Sequence, residues 1–221
     1  MKNKKVFTIT LAIICFLSII HANAKENNWK LKKNSKGIKV YTRKIENSNF
    51  KESKAEMEIE TSISSLIFLF TDVDSLTAWY PNLKSCKLLK EISSMEFLMY
   101  QVIDLPWPVK DRDSVINFKM KYNRKNGSVT IVYNDYANVL PEKNDLVRIK
   151  KIKANWKFIP VSNGKVKVVY QVHGDPGGKL PSWLANSTCV DNPYRIFKKI
   201  KNTVVKPRYR NAKLDLSKYK E

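Results

Sequence analysis

The residue types that carry most enzyme chemistry are scarce in this chain. Of its two histidines, His21 lies in an apolar N-terminal segment and His173 stands at the end of a predicted strand. His173 is then the one remaining candidate for a metal cluster or a catalytic triad, and a lone histidine at a strand end is usually structural. No Cys-x-x-Cys pair or glycine-rich phosphate loop occurs, and Ser182 lacks a nucleophile-elbow context. The sequence therefore predicts no catalytic residue, no metal site and no cofactor.

Two arginines are the charged side chains that could meet a ligand head group. Arg112 stands at the start of a predicted strand, between Asp111 and Asp113. It could contact a head group, but an ion pair with a neighbouring carboxylate such as Asp111 is the alternative that its position favours. Arg148 shares a strand face with Leu146, and an inward-pointing face would make it a second head-group contact.

The N-terminal segment has the three parts of a secretory signal peptide. Three lysines among the first five residues precede an apolar run over residues 6–20, and residues 22–24 (Ala-Asn-Ala) supply the small residues that signal peptidase reads. The run is shorter than the ~20 residues that a spanning helix needs. We expect a signal peptide over residues 1–24 and a domain over 25–221, located in the periplasm or fully secreted.

The charge balance indicates an affinity for anionic surfaces. The formal net charge is +21, and losing the three lysines of residues 1–24 leaves +18. A strongly cationic protein outside the cytoplasm is expected to meet anionic lipid head groups transiently, and no nucleic acid. The alternative is that the charge only keeps the protein in solution. We expect a monomer.

Two cysteines, Cys86 and Cys189, follow residues 1–24. An oxidising compartment permits a disulfide between them. Two small buried thiols are the alternative, because the separation of the two residues along the chain does not give their distance in space.

Hydrophobic periodicity predicts the elements that must position these residues. Residues 29–33, 38–44 and 50–60 read as hairpin-linked strands. Ser62 or Ser64 can cap a helix that ends near Trp79 and Pro81. From residue 84 to 173, alternating apolar residues separated by turns predict a series of antiparallel strands.

The helical period returns after the Gly-rich turn at residues 175–178. A long C-terminal helix begins near Pro181, with the apolar stripe Trp183, Leu184, Ser187, Val190, Tyr194, Phe197, Ile200 and Val204. The order of strands, helix, many strands and long helix predicts an α+β fold in which a curved antiparallel sheet grips the C-terminal helix around an apolar interior.

Four segments of this sequence resemble the START (steroidogenic acute regulatory protein-related lipid transfer) domain family, which has the helix-grip fold. The first is Trp29 with residues 37–41 (Gly-Ile-Lys-Val-Tyr), and the second is Trp79 with Pro81. The third is residues 105–113 (Leu-Pro-Trp-Pro-Val-Lys-Asp-Arg-Asp), and the fourth is residues 174–186, which begin Gly-Asp-Pro-Gly-Gly. They occur in the family's order and cover nearly all of residues 25–221.

The resemblance implies a cavity between the sheet and the C-terminal helix that binds, and transfers, one lipid or other hydrophobic molecule. Trp107 would lie in a loop beside this cavity, dipping into a membrane as the loop and the helix part; its alternative is packing as core. Sterol-binding members have an arginine on the strand after Arg112-Asp113, where this chain has Ile116, Phe118 and Met120. The expected ligand-binding residues are Tyr100, Trp107, Arg112, Phe118, Met120, Arg148, Trp156, Tyr170, His173, Trp183, Leu184 and Ser187.

Two other functions fit the same fold. Some helix-grip relatives are cyclases or hydrolases, and an enzyme would need an acid–base pair inside the cavity, for which Arg148 and His173 are the candidates. A ligand-sensing partner of another envelope protein would use the basic surface for docking.

Overall fold

The computed structural model describes residues 28–216. The predicted signal peptide and its cleavage point lie outside the described residues. The chain divides into two units at Lys30, and the second, which starts at Leu31, contains nearly all of the described residues. The strands are β1 Lys30–Ser35, β2 Ile38–Lys44, β3 Lys51–Glu60, β4 Leu83–Ser93, β5 Glu96–Ile103, β6 Arg112–Asn123, β7 Ser128–Asp135, β8 Val147–Arg148, β9 Lys151–Val161 and β10 Lys165–Asp175. The helices are α1 Ile63–Thr71, α2 Leu76–Trp79, α3 Ser182–Thr203 and α4 Pro207–Arg210, with 3₁₀ turns at Val73–Ser75 and Ala137–Val139.

One sheet holds all ten strands in the order β1-β2-β3-β10-β9-β7-β6-β5-β4, and β8 adds a short parallel pairing to β6. The pairings from β2 through to β4 are antiparallel. Together with the long helix α3, this sheet confirms the predicted α+β helix-grip fold.

The hairpin between β9 and β10 shows how the sequence sets the strand register. Three residues, 162–164, connect the two strands, and Asn163 and Gly164 have φ angles of 63° and 68°, in the left-handed region that tight hairpin turns use. Glycine adopts this region without steric cost, and asparagine tolerates it. The turn places Val161 opposite Lys165, and the pairing continues to Lys151 opposite Asp175.

The predicted single helix after β3 is two helices. Ser62 caps α1 as expected, since its Oγ accepts a hydrogen bond from the amide of Ser65 at 3.0 Å. The chain leaves helical geometry at Asp72, whose ψ is 74°. The Asp72 carboxylate accepts hydrogen bonds from Tyr209 Oη (3.0 Å) and Arg208 Nε (2.9 Å), which tie this break to α4. The sequence pattern missed the break because the apolar period continues across it.

The main core lies between the sheet and the helices α1 and α3. At its centre the Trp156 ring stacks on Tyr170, with ring centroids 4.0 Å apart, and on Phe197 of α3 at 5.7 Å. Phe70 of α1 meets the edge of Trp156 at 4.8 Å. These aromatic contacts fix the distance between α3 and the sheet, because large rings make their pair geometry specific.

A smaller cluster lies apart from this core. Tyr100, Val102 and Val115 are buried there, packed against Leu140 and Leu146. Tyr100 and Val102 alternate along β5 with residues of the main core such as Met99, and Val115 precedes the main-core residue Ile116 on β6. Successive side chains of a strand point to opposite faces, so the smaller cluster lies on the other face of the sheet.

Candidate functional site

A cavity of about 250 Å³ lies between the sheet and the first half of α3. β3 and β10 supply part of its wall, and α3 supplies another. Its lining residues are Phe50, Lys51, Ser53, Tyr80, Pro81, Asn82, Ile103, Ile149, Ile152, Tyr170, Val172, Gly174, Asp175, Pro176, Ala185, Asn186, Thr188, Cys189, Asn192, Pro193 and Ile196. An apolar hollow of this kind with a few polar groups suits a hydrophobic ligand.

A second, inner cavity of about 50 Å³ adjoins the first. The two share Tyr80, Ile152 and Tyr170 in their linings. The inner lining is Phe70, Leu76, Trp79, Tyr80, Leu83, Met99, Gln101, Ile116, Tyr133, Ile152, Ala154 and Tyr170. We call the two the outer and the inner cavity.

Helix α3 carries a built-in weak point where it covers the outer cavity. Pro193 lies inside α3 and has no amide N–H, so the carbonyl of Cys189, four residues earlier, lacks its helical donor. The hydroxyl of Ser53, on β3, donates a 2.6 Å hydrogen bond to that carbonyl instead. The helix is therefore held to the sheet at its own discontinuity.

A second polar anchor holds the first half of α3 to the start of β3. Asn186 Oδ1 accepts a hydrogen bond from the amide of Lys51 at 2.8 Å, and its Nδ2 donates to the carbonyl of Asn49 at 3.1 Å. Beyond Pro193, Ile196, Phe197 and Ile200 of α3 are buried in the core, and Lys201 adds an exposed hydrogen bond to the carbonyl of Lys36 at 3.3 Å. Polar contacts thus attach the first half of α3, and the second half is held mainly by hydrophobic packing.

Arg112 joins two loops beside the cavity. It is buried, and its guanidinium donates to the carbonyls of Lys110, Pro176 and Gly177, the last two at 3.3 Å. Asp111, the expected partner, instead accepts from Lys84 at 2.7 Å. The expected ion pair between Arg112 and a neighbouring carboxylate is therefore wrong. The guanidinium instead donates hydrogen bonds to backbone carbonyls of two loops, the one before β6 and the one before α3.

Trp107 and Trp183 are the most exposed large apolar side chains among the described residues, at 92% and 72% of their free surface. Trp107 belongs to the same loop as Lys110, between β5 and β6, and Trp183 follows the loop of Pro176 and Gly177. Packing of Trp107 as core is therefore wrong. Since Arg112 binds both loops, the two tryptophans extend from segments that meet at one buried side chain.

Arg148 is fully engaged away from both cavities. Its Nε and Nη2 donate to the two oxygens of Asp113 at 2.8 and 2.9 Å, and its remaining N–H groups bond the carbonyls of Ala137, Leu140 and Pro141. Tyr100 donates its hydroxyl to Asp113 at 3.1 Å. Arg148 does share a face with Leu146, but that face carries the smaller cluster, so the expected head-group contact is corrected to a structural ion pair.

The Asp113 carboxylate is held ionised by these contacts. Burial alone would raise its pKa, but the hydrogen bonds from Arg148 and Tyr100 outweigh burial and lower the pKa below its ordinary value. The same ion pair raises the pKa of Arg148. Both side chains are 1% exposed, and each satisfies the other's charge.

The remaining residues expected to contact a ligand are spread around the cavities. Tyr170 lines both cavities, and Trp156 lies behind it as its stacking partner. Phe118 and Met120 are core residues outside both linings. His173 shares a 3.0 Å hydrogen bond with Ser48, while Leu184 and Ser187 bond within α3.

Sequence reasoning missed most of the α3 wall. The outer cavity meets Ala185, Cys189 and Pro193, which are spaced by four residues and lie on one helix face. These residues are small or polar, so they gave no apolar stripe. Their spacing relative to Phe197, the buried anchor of α3, could have identified them.

Cys86 and Cys189, the cysteines within residues 28–216, are free thiols. Cys86 contacts the sulfur of Met99 at 4.0 Å, and Cys189 contacts the carbonyls of Lys51 and Ala185 at 3.7 Å. The disulfide that an oxidising compartment would permit is therefore absent, and the alternative of two separate thiols holds.

Within residues 28–216, no group of His, Cys, Asp and Glu side chains could hold a metal ion, and no helix combines the length and apolar character needed to cross a membrane.

Sequence comparison gives two informative relatives. An uncharacterised protein of Pseudomonas aeruginosa, PA1579, is 33% identical over 189 residues, which cover 85% of this chain and 92% of that protein. The phosphatidylcholine transfer protein of Rattus norvegicus is 24% identical over 163 residues, which cover 72% of this chain and 75% of that protein.

Solved structures also resemble this chain. The STAR-related lipid transfer protein of Xanthomonas axonopodis has a TM-score of 0.75 and 32% identity, covering 80% of this chain and 99% of that chain. Human STARD10, 19% identical with a TM-score of 0.73, shares the fold and covers 87% of this chain and 79% of its own. The START domain family matches residues 18–204. The chain belongs to the START domain family.

Proposed function

We propose that this protein binds one lipid in the outer cavity and carries it between membranes, without catalysing a reaction on it. The observation that carries the proposal is a mainly apolar cavity bounded by α3 and the sheet in a member of the START domain family. Burying acyl or ring carbons contributes about 0.8 kcal/mol per CH₂, so shape and apolar area supply most of the affinity. The names of the rat and Xanthomonas relatives, both lipid transfer proteins, support this assignment.

Lipid uptake requires the cavity walls to move. The outer cavity, about 250 Å³, is smaller than the roughly 300–1,000 Å³ of typical ligand pockets, and a two-chain lipid is a large ligand. The first half of α3 is the wall best suited to move, because Pro193 interrupts its hydrogen-bond ladder and polar anchors hold it. We propose that this half of α3 swings away from β3 while the second half stays packed.

The membrane-contacting surface consists of the Trp107 loop and the start of α3. Trp107 and Trp183 are exposed, and the exposed Lys110 and Lys179 lie in the same two segments. Tryptophan favours the membrane interface, and lysine is attracted to anionic head groups. Contact would pull both segments outward and loosen their common attachment to Arg112, which opens the cavity toward the bilayer.

The proposed place of action is the periplasm. Its support is the signal-like pattern of residues 1–24 and the cationic charge that follows. A fusion of residues 1–30 to alkaline phosphatase tests it, since that enzyme is active after export. Activity comparable to a known exported fusion is expected, and activity at the level of a leaderless fusion would contradict export.

Native mass spectrometry tests the binding function. The purified protein is incubated with vesicles of phosphatidylethanolamine and phosphatidylglycerol, separated from them and sprayed under non-denaturing conditions. One bound lipid per protein is expected. A protein that stays uniformly unliganded, both as purified and after vesicle treatment, would contradict the function.

A further inference from the structure

The inner cavity differs chemically from an ordinary hydrophobic hollow. Among the described residues that line it, five have polar groups and none has a charged side chain. The polar five are Trp79, Tyr80, Gln101, Tyr133 and Tyr170. A cavity that served only to hold a lipid chain would need none of these groups.

Trp79 supplies an unused hydrogen-bond donor. Its side chain is buried, with 2% of the residue exposed, and within the described part of the chain its Nε1 has no hydrogen-bond partner. The indole N–H can donate but cannot accept. A buried donor without a partner costs free energy, so a native protein retains one most readily where a ligand or water completes it.

The tyrosines beside Trp79 are neutral donors as well. The side chains of Tyr80 and Tyr170 interact, and this interaction adds to burial in raising the pKa of Tyr170. Burial raises the pKa of Tyr133 and of Tyr170 well above the ordinary tyrosine value, so both hydroxyls keep their protons. Gln101 has its amide held by Ser114 Oγ at 2.9 Å, which fixes its position on this wall.

Size and charge restrict what the inner cavity can accept. Its volume of about 50 Å³ is a fifth of the outer cavity's and is large enough for a water molecule, so it fits a small group but not a lipid chain. A phosphate or carboxylate there would be a buried charge without a counter-charge, which is strongly unfavourable. A hydroxyl or carbonyl oxygen satisfies both limits.

We propose that the inner cavity is a subsite for one neutral oxygen of the ligand, a hydroxyl or a carbonyl, which accepts a hydrogen bond from Trp79 Nε1. This inference rests on the proposed lipid-binding function and names the class of ligand: a hydrophobic molecule whose buried end carries an uncharged oxygen. In the unliganded protein a water molecule takes the same place, and the ligand oxygen replaces it.

The test compares probes of one chain length that differ at one end. 1-Decanol, 2-decanone, 1-decene and decanoate are titrated into the protein, and their affinities are measured by displacement of 1-anilinonaphthalene-8-sulfonate. In Trp79→Phe, the affinities for decanol and decanone should fall about threefold to tenfold, the value of one hydrogen bond, while decene changes by less than about twofold. Decanoate should bind the unmodified protein more weakly than decanol does.

Trp156→Phe is the matched control. Trp156 is equally buried and its Nε1 also lacks a partner, but it lines neither cavity. The Trp156→Phe substitution should change the affinities for decanol and for decene by the same factor. Tyr133→Phe, which removes only a hydroxyl from the inner cavity, provides a second variant if Trp79→Phe fails to fold.

The outcomes separate the two proposals. If Trp79→Phe and Tyr133→Phe weaken decanol and decene equally, or if decanoate binds best, the subsite is wrong and lipid binding stands. If none of the four probes displaces the dye and no lipid is found by mass spectrometry, the proposed function fails and the subsite fails with it.

Discussion

The hydroxyl of Ser53 donates a 2.6 Å hydrogen bond to the main-chain carbonyl of Cys189. This is the carbonyl that Pro193 leaves without a donor inside α3. One hydrogen bond thus repairs a helix defect and fastens the proposed moving wall of the cavity to the sheet. The strength of this bond should therefore affect both stability and ligand exchange.

Ser53→Ala should lower the free energy of unfolding by about 1 kcal/mol, because the Cys189 carbonyl loses its donor in a buried setting. In the Pro193→Ala background the loss should be smaller, since the substituted residue has an N–H that can reach the same carbonyl. Urea denaturation of the four proteins of this cycle measures the coupling. Ser94→Ala, at an exposed turn, serves as the control. If Ser53→Ala lowers the free energy of unfolding equally in both backgrounds, the hydrogen bond does not compensate for Pro193.

Pro193→Ala should also slow lipid exchange. Restoring the helical hydrogen bond strengthens the proposed hinge, and proline in a helix interior is about 3 kcal/mol less favourable than alanine. Transfer of a fluorescent phospholipid between vesicles should become slower by roughly tenfold, while the amount bound at equilibrium changes less. A transfer rate equal to or above that of the unmodified protein would argue against opening at this point.

The Asp113–Arg148 ion pair should make stability depend on pH in the acid range. The pKa of Asp113 is lowered in the folded state, so its contribution is fully present above the unfolded value of about 3.9 and is lost as the pH falls through the folded pKa. Chemical denaturation from pH 7 to pH 3 should show stability falling below about pH 4.

Asp113→Asn should cost about 3–5 kcal/mol at pH 7, because it leaves Arg148 buried without its counter-charge. Its stability should also fall less steeply in acid than that of the unmodified protein. Asp74→Asn, an exposed position, is the control. An unchanged acid slope in Asp113→Asn would show that other carboxylates, such as Asp111 with its similarly lowered pKa, dominate.

Trp107→Ala should weaken binding to vesicles containing phosphatidylglycerol by roughly tenfold, the value of one aromatic side chain leaving water. Trp183→Ala should have a similar effect, and binding should fall further with salt as lysine contacts are screened. Cosedimentation measures both. Tyr136→Ala removes another exposed aromatic side chain in a different loop and should leave vesicle binding unchanged. If Tyr136→Ala weakens vesicle binding as much as Trp107→Ala does, the two tryptophans do not form a specific membrane contact.

The thiols of Cys86 and Cys189 should remain separate and react slowly. Burial raises the pKa of Cys86 to about 11 and also raises that of Cys189, so little thiolate exists at pH 8. Iodoacetamide should modify both cysteines slowly in the folded protein and rapidly in urea without reductant, as located by peptide mapping. A peptide pair joined by a disulfide would contradict this.

The sequence was sufficient for the strands, the hairpins and the long C-terminal helix because their signals are local. Alternation along residues 38–44 and the left-handed turn at Asn163 and Gly164 determine strand and hairpin without reference to the rest of the chain. The same holds for the cap at Ser62. The family motifs then fixed the order in which strands and helices assemble.

The lining of the cavities was decided by the tertiary structure. Alternation along a strand shows which residues share a face, but it does not show which face lines the cavities. Arg148 and Leu146 lie on the face that carries the smaller cluster, away from the cavities. Along α3 the cavity face is made of small or polar residues such as Ala185 and Cys189, which an apolar pattern cannot reveal. Hydrophobic periodicity records where side chains pack, and a binding cavity is the place where they do not, so its walls become visible only when sheet and helix are assembled.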